Sequence, residues 1–501
     1  MFLTRRGLCG RKQFRKCRKP QNHDYSLLAE LELYTMKKVL LSLLACALIP
    51  AAGALAQTGT KAETCQKGSL SPEVLTEISK GWEGTASDKA LRNALNATSI
   101  KALSLNAENA PMIDTEFSDK VKTKGITDQK QSGRCWLFTG LNVLRAAAID
   151  KHDLDKLVFS QNYLFFYDQL EKANLFLQAV IDTRNMPLDS REVDWLLSNP
   201  IGDGGTFTGV ANLVMKYGVV PANVMPETYV SNNTSQMSAQ LKILLRQSAL
   251  ALRENPKGVK AKDMPAYLQA QKTEILKKVY HVLALCLGVP PASFEWEGKT
   301  YTPSEFYDYM VGYDLNNDYV MLMNDPSREY GKVYEIQYDR HLYDGQNWKY
   351  VNLPMDRIKQ MAIESIKANE AMYFSCDVGK CLDSKKGVAD LNNYDESSLL
   401  GFEYTMDKKQ RILTHASGST HAMTLMAVDL KDGVPVKWMV ENSWGASSGF
   451  NGHIIMTDEW FDNYMFRLVV NRKFVPEDVL KMLEQKAIML PSWDPMFLGE
   501  E

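Results

Sequence analysis

The spacing of apolar residues changes along this chain, and that change limits the fold more than any other feature. Up to about residue 370 the apolar positions recur at helical intervals. Ser71-Pro72-Glu73 opens an amphipathic pattern running to Lys80, and residues 136–149 place Leu137, Leu141, Leu144 and Ala148 on one helix face. Gln161 to Phe176 and Gly209 to Tyr217 continue the series, as do 236–254, 263–287 and 355–367. In the last third the apolar residues gather into short runs: Ala422 to Leu430, Lys437 to Glu441 and His453 to Met456. Asp432-Gly433 and Gly449-Phe450-Asn451-Gly452 break these runs as turns break strands. Helices early and an antiparallel sheet late predict an α+β architecture, and 501 residues are ample for a large core.

The first 56 residues read as processing rather than fold. From Met36, two lysines (Lys37, Lys38) precede an apolar run from Val39 to Ile49, and the small residues Ala54 and Ala56 follow. This is the layout of a signal peptide over 36–56, cleaved between Ala56 and Gln57. It predicts export, to a periplasm or beyond, and the apolar run is too short for a stable membrane span. Leu43-Leu44-Ala45-Cys46 offers a minor variant in which Cys46 is lipidated. Residues 1–35 stand before a complete signal, so translation is expected to start at Met36, leaving the upstream segment untranslated or disordered.

Charge argues against one broad class of partner. The whole chain has a formal charge of −2, but residues 1–56 hold ten Lys/Arg against three acids. The remainder therefore carries 48 basic and 57 acidic side chains, a net of −9. An acidic body gives no general reason to bind nucleic acid.

Of eight cysteines, five lie beyond the leader: Cys65, Cys135, Cys286, Cys376 and Cys381. An odd number in an exported chain invites a search for one reactive thiol. No spacing suits a zinc site, so neither metal nor cofactor is expected. Cys135 stands directly before the 136–149 helix, where unpaired N–H groups and the helix dipole favour thiolate over thiol. A thiolate nucleophile needs a proton carrier. Among seven histidines, His421 heads a predicted strand in Ser419-Thr420-His421-Ala422, with small neighbours that leave room for its ring. His415, the nearby rival, precedes a Ser/Gly-rich loop that would position it poorly. Asn442, at the end of the next strand in Asn442-Ser443-Trp444-Gly445, can orient the imidazole through its side-chain oxygen. Gln129, six residues before Cys135, can donate its side-chain N–H to an oxyanion alongside the Cys135 backbone N–H. Each residue alone has an ordinary structural explanation. The four roles together, in the order Gln, Cys, His, Asn, predict acyl-transfer catalysis.

At these residues the chain resembles the papain superfamily, and within it the bleomycin hydrolase and aminopeptidase C family. The resemblance rests on Ser132-Gly133-Arg134-Cys135-Trp136, Ser160-Gln161-Asn162-Tyr163-Leu164-Phe165-Phe166, Asp203-Gly204-Gly205 and Lys216-Tyr217-Gly218-Val219-Val220-Pro221. Further along it rests on Thr420-His421-Ala422-Met423-Thr424, Val440-Glu441-Asn442-Ser443-Trp444-Gly445 and Leu490-Pro491-Ser492-Trp493-Asp494-Pro495-Met496. It implies a papain-like two-lobed fold over 57–501: a helical lobe, an antiparallel β lobe, and a large helical or hook insertion at roughly 231–370. It also implies a homohexamer acting on peptide substrates, with a C-terminal arm (488–501) in the cleft. The terminal carboxylate, here that of Glu501, would hold the substrate's free amino group, and Gly204 and Gly205 would wall the substrate groove. The tail Phe497-Leu498-Gly499-Glu500-Glu501 and the run Thr206-Phe207-Thr208 both depart from the endings and the Gln-Trp-Asp common in similar enzymes. The reading is thus a cysteine aminopeptidase working through a thiolate acyl-enzyme. The alternatives are a papain-like endopeptidase with an open cleft and a catalytically silent peptide-binding ring scaffold.

Overall fold

The computed structural model describes residues 68–109 and 114–496. The presumed leader, Cys46, Cys65 and the tail 497–501 lie outside the described residues. The chain divides into two units, Met1–Ala90 and Leu91–Glu501. In the first, the helix Pro72–Ser79 starts as the sequence predicts: Ser71 caps it by accepting from the Val74 N–H, and Pro72 needs no donor at that position.

The second unit is built around the helix Cys135–His152. Fourteen of its eighteen residues are buried, so it runs through the core. The one-faced pattern expected from the sequence describes only part of its contact surface. Helix Gln161–Asp182 lies beside it and is buried along most of its length, with Phe207–Tyr217, Ser235–Arg253 and Met264–Leu287 completing the helical lobe.

The other lobe is a sheet. Among the described residues twelve strands form it, centred on Met372–Cys376, His421–Lys431, Val434–Glu441 and His453–Thr457, all antiparallel neighbours. The first eight residues of His421–Lys431 are buried on both faces, which explains their unbroken apolar run. On the far side of Met372–Cys376 follow Met465–Asn471, Tyr319–Met323, Lys349–Asn352, Val333–Ile336 and Ile488–Leu490. Segment 231–370 is therefore more than the helical insertion expected: its second half lends three strands to the main sheet. Those strands are only four or five residues long, too short for periodicity to separate them from loops.

The helix Cys135–His152 packs against the strand His421–Lys431, and Cys135 and Ala422 belong to one buried apolar cluster. Arg145 of that helix makes a fully buried ion pair with Glu441, the residue before Asn442. Burial pushes the Glu441 carboxyl up and Arg145 pulls it back. Breaking one side of such a pair would strand a charge, so helix and strand are held in register.

Candidate active site

Cys135 opens its helix and is fully buried. The neighbouring helix Gln161–Asp182 is capped by Ser160, whose Oγ accepts from the Tyr163 N–H at 3.0 Å. The Cys135 helix is different: Arg134 holds the cap position and its side chain makes no capping bond. The positive end of the helix dipole thus falls at Cys135.

His421 starts its strand, and the register pairing Thr424 with Glu441 carries residue 421 alongside 442–444. Its Nε2 lies 2.8 Å from Asn442 Oδ1, and the Trp444 ring covers it with centroids 4.8 Å apart. The same Oδ1 accepts from the Ser443 backbone N–H at 2.7 Å. An N–H can only donate, so the Asn442 amide cannot be flipped, and His421 must carry its proton on Nε2. In the neutral ring Nδ1 is left without a proton. Burial pushes the His421 pKa down to about 4, against the pull of the Asn442 hydrogen bond. An imidazolium here requires an anion beside it.

Gln129 is pinned at both ends of its amide. Its Oε1 accepts from Ser443 Oγ at 2.6 Å, and its Nε2 donates to Ser132 O at 2.7 Å. The backbone follows suit, Gln129 N–H donating to Ser443 O at 2.8 Å. Gln129, His421 and Asn442 thus form one connected network through Ser443, a residue the sequence reading did not single out. His415 stands apart from it: exposed, with φ of 59°, it lines the outer cleft.

A cleft of about 700 Å³ is lined by Gly204, Gly205, Ser419, Thr420 and the arm residues Trp493 to Pro495; it reaches the residue before His421, while Cys135, His421, Asn442 and Gln129 are not part of its lining. The glycine wall is built differently from the sequence expectation. A Cβ on Gly205 would lie 2.4 Å from His341 Cε1 and 2.8 Å from Trp136 Cδ2, so the missing side chain admits protein rings as well as any ligand. Behind the wall, Asp168 joins His341 Nδ1 (2.5 Å) to Lys172 Nζ (2.9 Å). Burial and the Lys172 charge push His341 down, keeping it neutral; burial pushes Asp168 up, but Lys172 and His341 outweigh it and keep it ionised. Lys172 also donates to Gly202 O and Gly204 O, and Trp136 Nε1 to Asp203 O, so three successive carbonyls are turned inward. Asp168 and Lys172 share a helix face four residues apart, a readable signal. His341, in a loop far along the chain, gave none.

Both rings against Gly205 are held, His341 by Asp168 and Trp136 by Asp203. Gly205→Ala is therefore expected to cost about 1–3 kcal/mol, read as a lowered melting temperature. Gly202→Ala, with nothing within 4 Å of its Cβ, should stay within about 0.5 kcal/mol of wild type.

A thiol at the start of a buried helix, packed against the strand whose first residue is an amide-oriented imidazole, is the arrangement of the papain-like cysteine peptidases, and this protein is a hydrolase of that class. Within the class it belongs to the Peptidase C1-like family, whose model matches residues 69–497. It is 42% identical to human bleomycin hydrolase over 392 residues, 74% of this chain and 86% of that protein. Aminopeptidase C of Lactobacillus delbrueckii subsp. lactis is 36% identical over 81% of this chain and 92% of its own length. Among solved structures, PepW from Lactobacillus rhamnosis HN001 matches with a TM-score of 0.81 and 34% identity, covering 86% of this chain and all of that one.

Proposed function

We propose that this protein is a cysteine aminopeptidase that removes N-terminal residues from peptides, with Cys135 as nucleophile, His421 as proton carrier, Asn442 as its orienting group and Gln129 as oxyanion donor. The observation that carries the reading is the fixed sequence Ser443 N–H to Asn442 Oδ1 to His421 Nε2, which supports Nδ1 as the nitrogen available to the thiol. The Cys135 thiolate attacks the amide carbonyl carbon, and the oxyanion receives hydrogen bonds from Gln129 Nε2 and the Cys135 N–H. The C–N bond breaks as His421 Nδ1–H protonates the leaving amine. Water then gives a proton to Nδ1 and attacks the thioester; the C–S bond breaks and the thiolate returns.

Exopeptidase specificity is assigned to the C-terminal arm, with the Glu501 carboxylate pairing with the substrate ammonium beside the Gly204–Gly205 wall. Two observations support it. Trp493 to Pro495 line the cleft, and the arm is anchored at its root, Arg328 pairing with Asp494 and Arg467 donating to Met496 O at 2.5 Å. Export through 36–56 and assembly into a homohexamer belong to the same proposal. Among the described residues no helix is long and apolar enough to cross a membrane.

Amino-acid arylamides and N-acetylated peptides discriminate. The full chain should cleave the first and reject the second, and a chain ending at Met496 should lose that preference and cut internally. Internal cleavage of N-acetylated peptides by the full chain would overturn the aminopeptidase assignment and favour an endopeptidase.

A further inference from the structure

We propose that Arg134, through Ser132, is a positioning residue that holds the two donors of the oxyanion site at a fixed separation; the inference rests on the roles given above to Gln129 and Cys135. Arg134 is wholly buried one residue before the nucleophile, yet its side chain does not cap the helix. Its Nη1 and Nη2 donate to Glu227 Oε1 at 3.1 Å and Oε2 at 2.8 Å, and its Cζ lies over the rings of Phe138 and Phe165, 5.2 and 5.1 Å from their centroids. Glu227 is fixed in turn by Ser231 Oγ at 2.6 Å.

The remaining donor is the informative one. Arg134 Nε donates to Ser132 Oγ at 2.9 Å, and Ser132 Oγ donates to Gln129 O at 2.6 Å. A guanidinium only donates, so the single hydroxyl proton must go to Gln129. Gln129 Nε2 returns a bond to Ser132 O, closing the link on itself. The segment from Gln129 to Cys135 is therefore clamped from the helical lobe by Arg134, while Ser443 clamps Gln129 from the sheet lobe. An oxyanion site works by having its donors in place before charge develops. A planar fork held by hydrogen bonds on two edges sets direction as well as distance, which a lysine ammonium cannot do.

The test compares Arg134→Lys, Arg134→Gln and Ser132→Ala in the full chain. Ser132→Ala cuts the link while leaving the buried Arg134–Glu227 pair intact, so it reports even where the arginine variants fold poorly. Three quantities are read: kcat and KM for an amino-acid arylamide, the pH profile of Cys135 alkylation by iodoacetamide, and melting temperature. Alkylation displaces iodide and makes no oxyanion, so it reports the thiolate alone. Arg134→Lys and Ser132→Ala should lower kcat about 10- to 100-fold, with KM and the alkylation profile within about two-fold of wild type. Unchanged kcat in Ser132→Ala overturns the proposal, as does alkylation that falls in step with kcat, since the effect would then lie on the thiolate or the fold. If peptide mapping finds the alkylated residue to be other than Cys135, the catalytic reading itself fails, and this inference with it.

Discussion

Cys135→Ala is expected to lower aminopeptidase turnover by roughly 10⁴- to 10⁶-fold while leaving the protein folded. The loss is this large because the alanine cannot form the acyl-enzyme, and what survives is binding and oxyanion stabilisation. Among the described residues, burial pushes the thiols of Cys286 and Cys381 up, away from the nucleophilic form. A peptide electrophile should accordingly label wild type at Cys135 and leave the variant unlabelled under the same conditions. Turnover in the variant within ten-fold of wild type would mean that the nucleophile lies elsewhere.

The second large effect concerns His421. His421→Ala should reduce turnover by roughly 10³- to 10⁵-fold at neutral pH, and the alkylation profile of Cys135 should move toward that of an ordinary thiol near pH 8.5. A profile that does not move would show that the imidazole has no part in ionising the sulfur. The same residue predicts a pH dependence in the Cys135→Ala protein, where no thiolate can balance an imidazolium. There burial pushes the imidazole down to about 4, against about 6.5 in the unfolded chain. Between those values the unfolded state binds more protons, so stability falls as pH falls. The contribution is complete above pH 6.5 and lost progressively toward pH 4, up to roughly 3 kcal/mol. Denaturant titrations of Cys135→Ala and of Cys135→Ala/His421→Gln across this window should differ by that slope, and identical slopes would refute it.

Much of the molecule was legible because local chemistry and tertiary role agree. The three middle helices, read at 236–254, 263–287 and 355–367, lie at Ser235–Arg253, Met264–Leu287 and Met355–Lys367. The strand carrying His421 was readable because it is buried on both faces and so appears as one apolar run. The strands Tyr319–Met323, Val333–Ile336 and Lys349–Asn352 were not, because their identity comes from the neighbours they pair with. Gly205 was read as part of the substrate-groove wall, but the ring that packs against it was hidden, since His341 reaches it from a loop more than a hundred residues away.

By itself the sequence determined the chemistry: a thiol at a helix start, an imidazole on a strand, an amide to orient it and another to receive charge. These are properties of residue type and nearest neighbours, so they can be read along the chain. Only the tertiary structure decided which atoms are fixed and by what. The His421 tautomer, the two-ended hold on Gln129, the Arg134 clamp and the charged cluster behind the glycine wall all join residues distant in sequence. Hydrogen-bond direction and burial exist only once the fold has brought such groups together, and no local pattern encodes them.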